Sequence, residues 1–336
     1  MLKKYNTEVT VNQDNLLSDL TGTGRERPWA PKKIKTCIVA DTYGLLAEDD
    51  SVKQGYYNKR ANSLDNCGNY LEFWTNPKDE QKKLAKANFC RKRLCPMCAW
   101  RRSLKIFGQV SKIMEYLNEN NPTARYIFLT LTVENVSGEE LSFTIKEMIR
   151  AFRNLLKRAK VEKNLLGAYR GIEVTYNEKR DDYHPHIHAI LMMKPSYFNS
   201  KDNYITQEEY AKLWADCLKL DYKPVCDVRK VRGKTSKAVA EVAKYTVKDD
   251  DYVKPEDVET GKKVVAVLDE ALHGKRLISF FGEMKKAHAE MNLENIEDDT
   301  VDLIHTDTAE DDLSVKGWIK ETYAFNVGFM NYTKIK

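Results

Sequence analysis

The chain has 336 residues, 42% of them hydrophobic, and a formal net charge of +5. That length allows a sizeable core and two or three folding units, and the hydrophobic fraction is ordinary for a globular protein. No apolar run reaches membrane-spanning length and Met1-Leu-Lys-Lys-Tyr lacks a signal-peptide core, so no membrane partner and a cytoplasmic location with reduced thiols are expected.

The charge is unevenly spread. Residues 294–312 hold nine acids (Glu294, Glu297, Asp298, Asp299, Asp302, Asp307, Glu310, Asp311 and Asp312) and no Lys or Arg, which leaves +14 on the remainder. Lys and Arg gather at Lys82 to Lys86, Arg91 to Arg93, Arg101–Arg102, Arg153 to Lys163, and Arg229 to Lys237. Such clusters are the electrostatic footprint of a nucleic-acid binder. The acidic stretch reads as a flexible segment, or as a mimic that competes with nucleic acid for the basic surface.

The first motif along the chain is built from cysteine. Cys90-Arg-Lys-Arg-Leu-Cys95-Pro-Met-Cys98 packs three thiols into nine residues, with Cys67 lying 23 residues upstream of the first. Four sulfurs close a tetrahedral structural Zn²⁺ site, and Cys67, Cys90, Cys95 and Cys98 are the natural set. A redox Cys-x-x-Cys pair is the rival reading, but it wants a βαβ context that is absent here. Cys37, Cys217 and Cys226 read as ordinary thiols, with Cys217 or Cys226 open as a substitute ligand. Arg91, Arg93, Arg101 and Arg102 flank the knuckle, so zinc would hold a basic surface against DNA.

Residues 126–133 predict a strand from their β-branched and aromatic content. Residues 139–161 predict a helix, with Leu141, Ile145, Ile149, Phe152 and Leu156 on one stripe. Strands over 169–177 and 184–193 follow, joined by the polar turn 177–182. Thr206-Gln-Glu-Glu209 is a capping box opening a helix to about Leu220. Pro224 to Val231 predicts a strand carrying the basic residues Arg229 and Lys230, with Arg232 just beyond it. Ser236 to Lys248 predicts another helix. The order β-α-β-β-α-β is the α+β ferredoxin-like pattern, an antiparallel sheet with both helices on one face.

His-Pro-His-Ile-His at 184–188 places half of the chain's six histidines within five residues. Strand alternation sends His184, His186 and His188 to one face, and Pro185, Ile187 and Ala189 to the other. Two imidazoles at i, i+2 can chelate one divalent ion; the bland alternative is an exposed polar strand face. If the hairpin turns near residue 180, Glu173 lies roughly opposite 186–188. It would complete a two-histidine, one-carboxylate site suited to Mg²⁺ or Mn²⁺. A register slip of a residue or two leaves His184 as the competing third ligand.

On the last predicted helix Glu241 and Tyr245 are i, i+4 and share a face, and Lys248 follows. A phenol beside a metal-polarised phosphodiester and a cation is a usable nucleophile. Without the histidine strand, the same helix is a surface helix with one Glu–Tyr contact.

Together these residues resemble the HUH endonuclease superfamily, and more closely the rolling-circle replication initiator (Rep) proteins of small Gram-positive plasmids. The matching segments are Arg27-Pro-Trp29, Cys67 with Cys90–Cys98 and Trp100-Arg-Arg102, Phe128-Leu-Thr-Leu-Thr-Val133, Glu173-Val-Thr, His184–His188, Ala243-Lys-Tyr-Thr-Val-Lys248, and Lys275-Arg-Leu-Ile-Ser-Phe280 with Gly282. The resemblance implies His186 and His188 as the metal pair, Glu173 as third ligand, Tyr245 as nicking tyrosine, Lys248 as its basic companion, and Glu241 as the acid that activates water at termination. Tyr252 is a nearby decoy or auxiliary.

The implied organisation is an N-terminal arm (1–60), a basic zinc-binding module (61–110), an HUH nickase domain (120–260), and a mainly helical C-terminal region (261–336). The implied activity is sequence-specific nicking and strand transfer at a plasmid double-strand origin, a hairpin presenting single-stranded DNA, with host helicase and polymerase as partners. A transposase or relaxase of the same superfamily, a non-enzymatic repressor and a small-molecule metal hydrolase are the other classes. The zinc knuckle speaks against the first, the histidines and tyrosine against the second, and the basic charge against the third.

Overall fold

The computed structural model describes residues 15–231, 239–240 and 247–335. In chain order its first elements are α1 (Trp29–Asp49), α2 (Gln54–Asp65), β1 (Tyr70–Thr75), β2 (Lys82–Ala87), α3 (Pro96–Asn120), β3 (Arg125–Thr132) and α4 (Gly138–Leu156). Then come α5 (Ala159–Glu162), β4 (Leu165–Asn177), β5 (Asp182–Met193), α6 (Ser196–Asn199), α7 (Gln207–Leu218) and β6 (Cys226–Lys230). After the turn of helix Asp249–Tyr252, helices Val258–Leu272 and Gly282–Glu290 flank β7 (Ile278–Phe281), and β8 (Ile319–Asn326) and β9 (Asn331–Lys334) follow. The chain divides into two units. One comprises residues 1–105, 252–266 and 299–336, the other 106–251 and 267–298.

The first unit holds a four-stranded antiparallel sheet in the order β2-β1-β8-β9, with α1 packed on α2. Alternation in β1 buries Leu71, Phe73 and Thr75 on one face. The run Lys82 to Lys86, which reads as part of a nucleic-acid footprint, is instead largely structural. Lys82 is buried and its Nζ donates to Glu321 Oε2 at 2.7 Å, while Lys83 Nζ donates to the carbonyl of Asp311 at 2.6 Å.

The acidic stretch is not the flexible segment expected from its charge. Val301, Leu303 and Thr306 are buried, and Asp307 pairs with Lys105 at 3.3 Å. Its main-chain carbonyls also take basic donors: Arg91 Nε reaches Val301 at 2.8 Å, and Arg101 reaches Leu303 at 2.8 Å and Ile304 at 2.7 Å. Apolar side chains among the acids, invisible to a charge count, anchor the segment.

The second unit holds a five-stranded antiparallel sheet in the order β6-β3-β5-β4-β7. Its first four strands, with α4 and α7 as crossovers, are the ferredoxin-like arrangement. α4 opens on the capping box Ser137–Glu140, and α7 on Thr206–Glu209. Leu141, Ile145, Met148, Phe152 and Leu155 form the buried stripe of α4, and Trp214 of α7 donates its Nε1 to the Thr132 carbonyl at 2.8 Å. Ile172, Val174, Ile187 and Ala189 are buried on the sheet face opposite the histidines. Lys275-Arg-Leu-Ile-Ser-Phe280 supplies β7, a fifth strand added beside β4. The turn after β7 requires glycine, because Gly282 has φ +55° and a Cβ there would meet the Leu166 carbonyl oxygen at 2.2 Å.

Residues 261–336 are thus helical to Glu290, apart from β7, and end in two strands that complete the first unit's sheet. Of the predicted helix 236–248, Val239 and Ala240 are helical, and Val247 forms a parallel bridge to Val174. Glu241 and Tyr245 lie outside the described residues. No helix among the described residues is long and apolar enough to cross a membrane.

Candidate metal centres

The centre of the second unit's sheet is built by register. Glu173 on β4 pairs directly with His186 on β5, while Thr130 and Thr132 of β3 pair with His188 and His186 on the other side. Directly opposed residues share a sheet face, so these side chains converge. Glu173 Oε2 lies 3.3 Å from His186 Nε2 and 3.2 Å from His188 Nε2. The carboxylate is only 5% exposed and the imidazoles 12% and 13%. Burial alone would push the Glu173 carboxyl up. The hydrogen bonds and charge of the two imidazoles outweigh it and hold the group well below the usual carboxylate range.

Each imidazole is oriented by its other nitrogen. His186 Nδ1 lies 3.2 Å from the His184 carbonyl, and His188 Nδ1 lies 3.2 Å from Thr130 Oγ1. With Nδ1 engaged, it is Nε2 of each ring that faces Glu173, donating to its carboxylate when protonated and offering a lone pair to an ion when not. Phe128 stacks on His188 with centroids 5.6 Å apart. An ion with bonds of about 2.1 Å holds neighbouring ligands about 3 Å apart. Glu173, His186 and His188 meet that spacing, so these three side chains could hold a metal.

His184 is not in this group. It pairs with Thr175, stacks on His186 at 5.3 Å, and lines an open cleft of about 540 Å³ with Asn135, Arg180, Tyr222 and Lys223. Burial and the neighbouring His186 hold its imidazole below the ordinary histidine value. Thr130 is the participant that sequence reasoning missed; its only signal is a hydroxyl at an otherwise apolar strand position.

The second candidate lies in the first unit. Cys67, Cys90, Cys95 and Cys98 bring four sulfurs together, with separations of 3.5 Å (Cys67–Cys98), 3.5 Å (Cys67–Cys95) and 3.7 Å (Cys90–Cys98). A disulfide needs about 2.05 Å, whereas the edge of a tetrahedron with Zn–S bonds of about 2.3 Å is about 3.8 Å. The donors therefore fit a structural zinc. The main-chain N–H of Cys90 donates to Cys67 Sγ at 3.3 Å and that of Arg91 to Cys98 Sγ at 3.2 Å. Such donors stabilise thiolate charge. Cys37, Cys217 and Cys226 stand apart from the cluster, Cys217 accepting from Arg158 Nε at 3.4 Å.

The arginines flanking the knuckle need correction. Arg101 and Arg102 are 2% and 1% exposed. Arg101 is spent on the Leu303 and Ile304 carbonyls, and Arg102 on those of Lys92 and Arg91. Arg102 braces the knuckle from inside and Arg101 ties it to the 303–304 segment, so buried side chains stand where DNA contacts were expected. Arg91 is half-buried on Val301, and Arg93 is half-buried. Arg229 is exposed and paired with Asp227 at 2.6 Å, and Lys230 is exposed with its Nζ 4.6 Å from the Phe198 ring centroid. Lys248 is exposed, and Arg232 lies outside the described residues. Tyr252 is 1% exposed in a short helix, which removes it as an accessible nucleophile.

The family model described as replication protein, Rep_1, matches residues 81–333. A "Protein rep" of Bacillus amyloliquefaciens is 39% identical over 339 residues, covering 96% of this chain and 98% of the relative. A "Protein rep" of Streptococcus pneumoniae is 39% identical over 311 residues, covering 91% and 92%. One from Lactiplantibacillus plantarum is 38% identical over 298 residues, covering 86% and 89%. No solved structure matches the chain. With a family match over most of the chain and relatives of 38–39% identity covering 86–96% of it, the chain belongs to the replication protein family.

Proposed function

We propose that this protein initiates plasmid rolling-circle replication by nicking one strand of origin DNA through Tyr245. The observation that carries the reading is the convergence of Glu173, His186 and His188 on the open sheet face of a chain in the replication protein family. A divalent ion held there, Mg²⁺ or Mn²⁺, would supply Lewis-acid polarisation of the scissile phosphodiester.

The chain's own residues do the rest. The Tyr245 phenolic oxygen attacks phosphorus, a tyrosine–phosphate ester forms, and the P–O3′ bond breaks. The 3′ oxygen leaves with the bonding pair and, once protonated, is the primer for host polymerase. Lys248 offsets charge on the phosphate, and Glu241 takes a proton from water at termination, so the final ester is hydrolysed. Val247, two residues after Tyr245, is bridged to Val174, the neighbour of Glu173 on β4, and that tether favours this assignment. Origin specificity lies outside the centre, with Arg93, Arg229, Lys230 and Arg232 the remaining assigned contacts to DNA, and a host helicase would open the duplex ahead of polymerase. The four cysteines hold Zn²⁺ as a structural ion.

The test is a denaturing gel of labelled single-stranded origin oligonucleotide with Mn²⁺, comparing wild type with Tyr245→Phe. The expected result is a metal-dependent cut with DNA attached to the wild type, absent in the variant. Undiminished cutting by the variant would refute Tyr245 as nucleophile.

A further inference from the structure

A cleft of about 310 Å³ lies at the outer edge of β7, walled by Arg153, Arg276 and Lys285 together with Ser279 and Phe280. The three cationic side chains are exposed, none has a carboxylate partner among the described residues, and no carboxylate is among the cleft's lining residues. Free surface cations are common, so these three alone would decide nothing.

The second observation is Arg170 on the neighbouring strand β4, which is 0% exposed. Its Nη2 donates to two residues of the cleft, the Ser279 hydroxyl at 3.1 Å and the Arg276 carbonyl, while Nε and Nη1 have no hydrogen-bond partner among the described residues. Buried charged donors left unmade are costly, and through Ser279 and Arg276 this guanidinium places a further positive charge directly behind the cleft wall. Glu297 is an acid whose charge acts on this guanidinium, and its oxygens accept the N–H groups of Leu277 at 3.0 Å and Ile278 at 3.1 Å. Burial lowers the guanidinium to about 10, which leaves it charged at neutral pH.

We propose that this cleft is a phosphate-binding site, and that its occupant is the backbone of the DNA strand leaving the metal centre. Three cations without a carboxylate partner among the described residues, around a wall backed by a fourth and with no acid lining, match phosphodiester oxygens rather than a cation. Register puts the site within reach of the chemistry. Gly171 pairs with His188 on one side and Ile278 on the other, so the cleft begins two strand spacings, about 10 Å, from the histidine strand. Ile278 shares the histidine face in that row, whereas Arg170 and Ser279, one residue on, face the other side of the sheet, so the strand would round the β7 edge to meet them. The inference rests on the nicking reading for its occupant, but not for the presence of an anion site.

The test is binding of a mixed-sequence single-stranded oligonucleotide by the full chain, without divalent metal, across a salt series. Arg153→Gln with Lys285→Gln is compared with wild type and with a charge-matched control, Lys146→Gln with Lys201→Gln, at exposed positions elsewhere. Removing two phosphate-pairing cations should flatten the slope of log affinity against log salt by about 1.4, whatever the base sequence. The control should leave it unchanged. A parallel titration with pyrophosphate separates the sources: weakened pyrophosphate binding with an unchanged DNA slope would keep the anion site and overturn DNA as its occupant. If the double variant matches the control for both probes, the inference fails. Because no cutting is scored, that failure is distinct from failure of the nickase reading.

Discussion

The sulfur cluster and the histidine centre are both candidate metal sites, and they differ in what they leave open. Four cysteines saturate a tetrahedron, with three of the four buried and the fourth half-buried. Glu173, His186 and His188 could supply three ligands, at 5–13% exposure on a sheet face beside an open cleft. A closed site spends its donors on folding, whereas an unsaturated one keeps positions for substrate and water. The arginines divide the same way. Arg101 is consumed by the Leu303 and Ile304 carbonyls and Arg102 by those of Lys92 and Arg91, while Arg153 and Arg276, with Lys285, have no carboxylate partner among the described residues at the sheet edge.

The comparison can be broken first by removing one ligand from each site. Cys98→Ser should cost the bound zinc and unfold the first unit, since structural zinc contributes roughly 10–16 kcal/mol in small zinc modules. Elemental analysis with thermal melting would record both losses. His188→Ala should leave the melting curve close to wild type, yet lower nicking about 10³-fold, because only Lewis-acid polarisation is lost. A cysteine variant that melts like wild type, or a histidine variant that unfolds, would erase the distinction.

A subtler effect concerns the sheet of the first unit. Glu321, buried beside Lys82, Lys334 and Thr75, has its carboxyl at about 2 against an ordinary 4.5. Burial pushes it up, but hydrogen bonds from Lys334, Lys82 and Thr75 win. A depressed carboxyl stabilises above its unfolded value, and that contribution is lost as pH falls from about 4.5 to about 2. Glu321→Gln should therefore cost on the order of 2–3 kcal/mol at pH 7, with the gap to wild type closing toward pH 2. Urea melts at several pH values would expose a constant gap if the sign is wrong.

The smallest effect sharpens the open site. Thr130→Val removes the partner of His188 Nδ1 at nearly constant volume. Metal affinity should fall about 10- to 100-fold with no change in fold, measured by Mn²⁺ titration. Unchanged affinity would mean that packing against Phe128 alone orients the ring.

Much of this is legible in one dimension. The strand period puts His186 and His188 on one face, the Thr206–Glu209 box opens α7 at the expected place, and four cysteine positions predict the cluster that forms. β1, β2, β8 and β9 are not legible in the same way, because β1 and β8 are paired partners nearly 250 residues apart and neither carries a strong local signal. Arg101 and Arg102 mislead for a related reason: charge is a property of sequence, but exposure depends on which distant carbonyls fold over it.

By itself, then, the sequence determined local periodicity, helix starts, ligand chemistry and family, since these depend on neighbours a few residues apart. The tertiary structure alone decided that Glu173 pairs with His186 and not His184. It also decided that Leu303 and Ile304 consume Arg101, and that β7 brings Arg276 and Lys285 beside Arg153. Register and burial are set by contacts between segments far apart in the chain, and no local pattern encodes which partner wins.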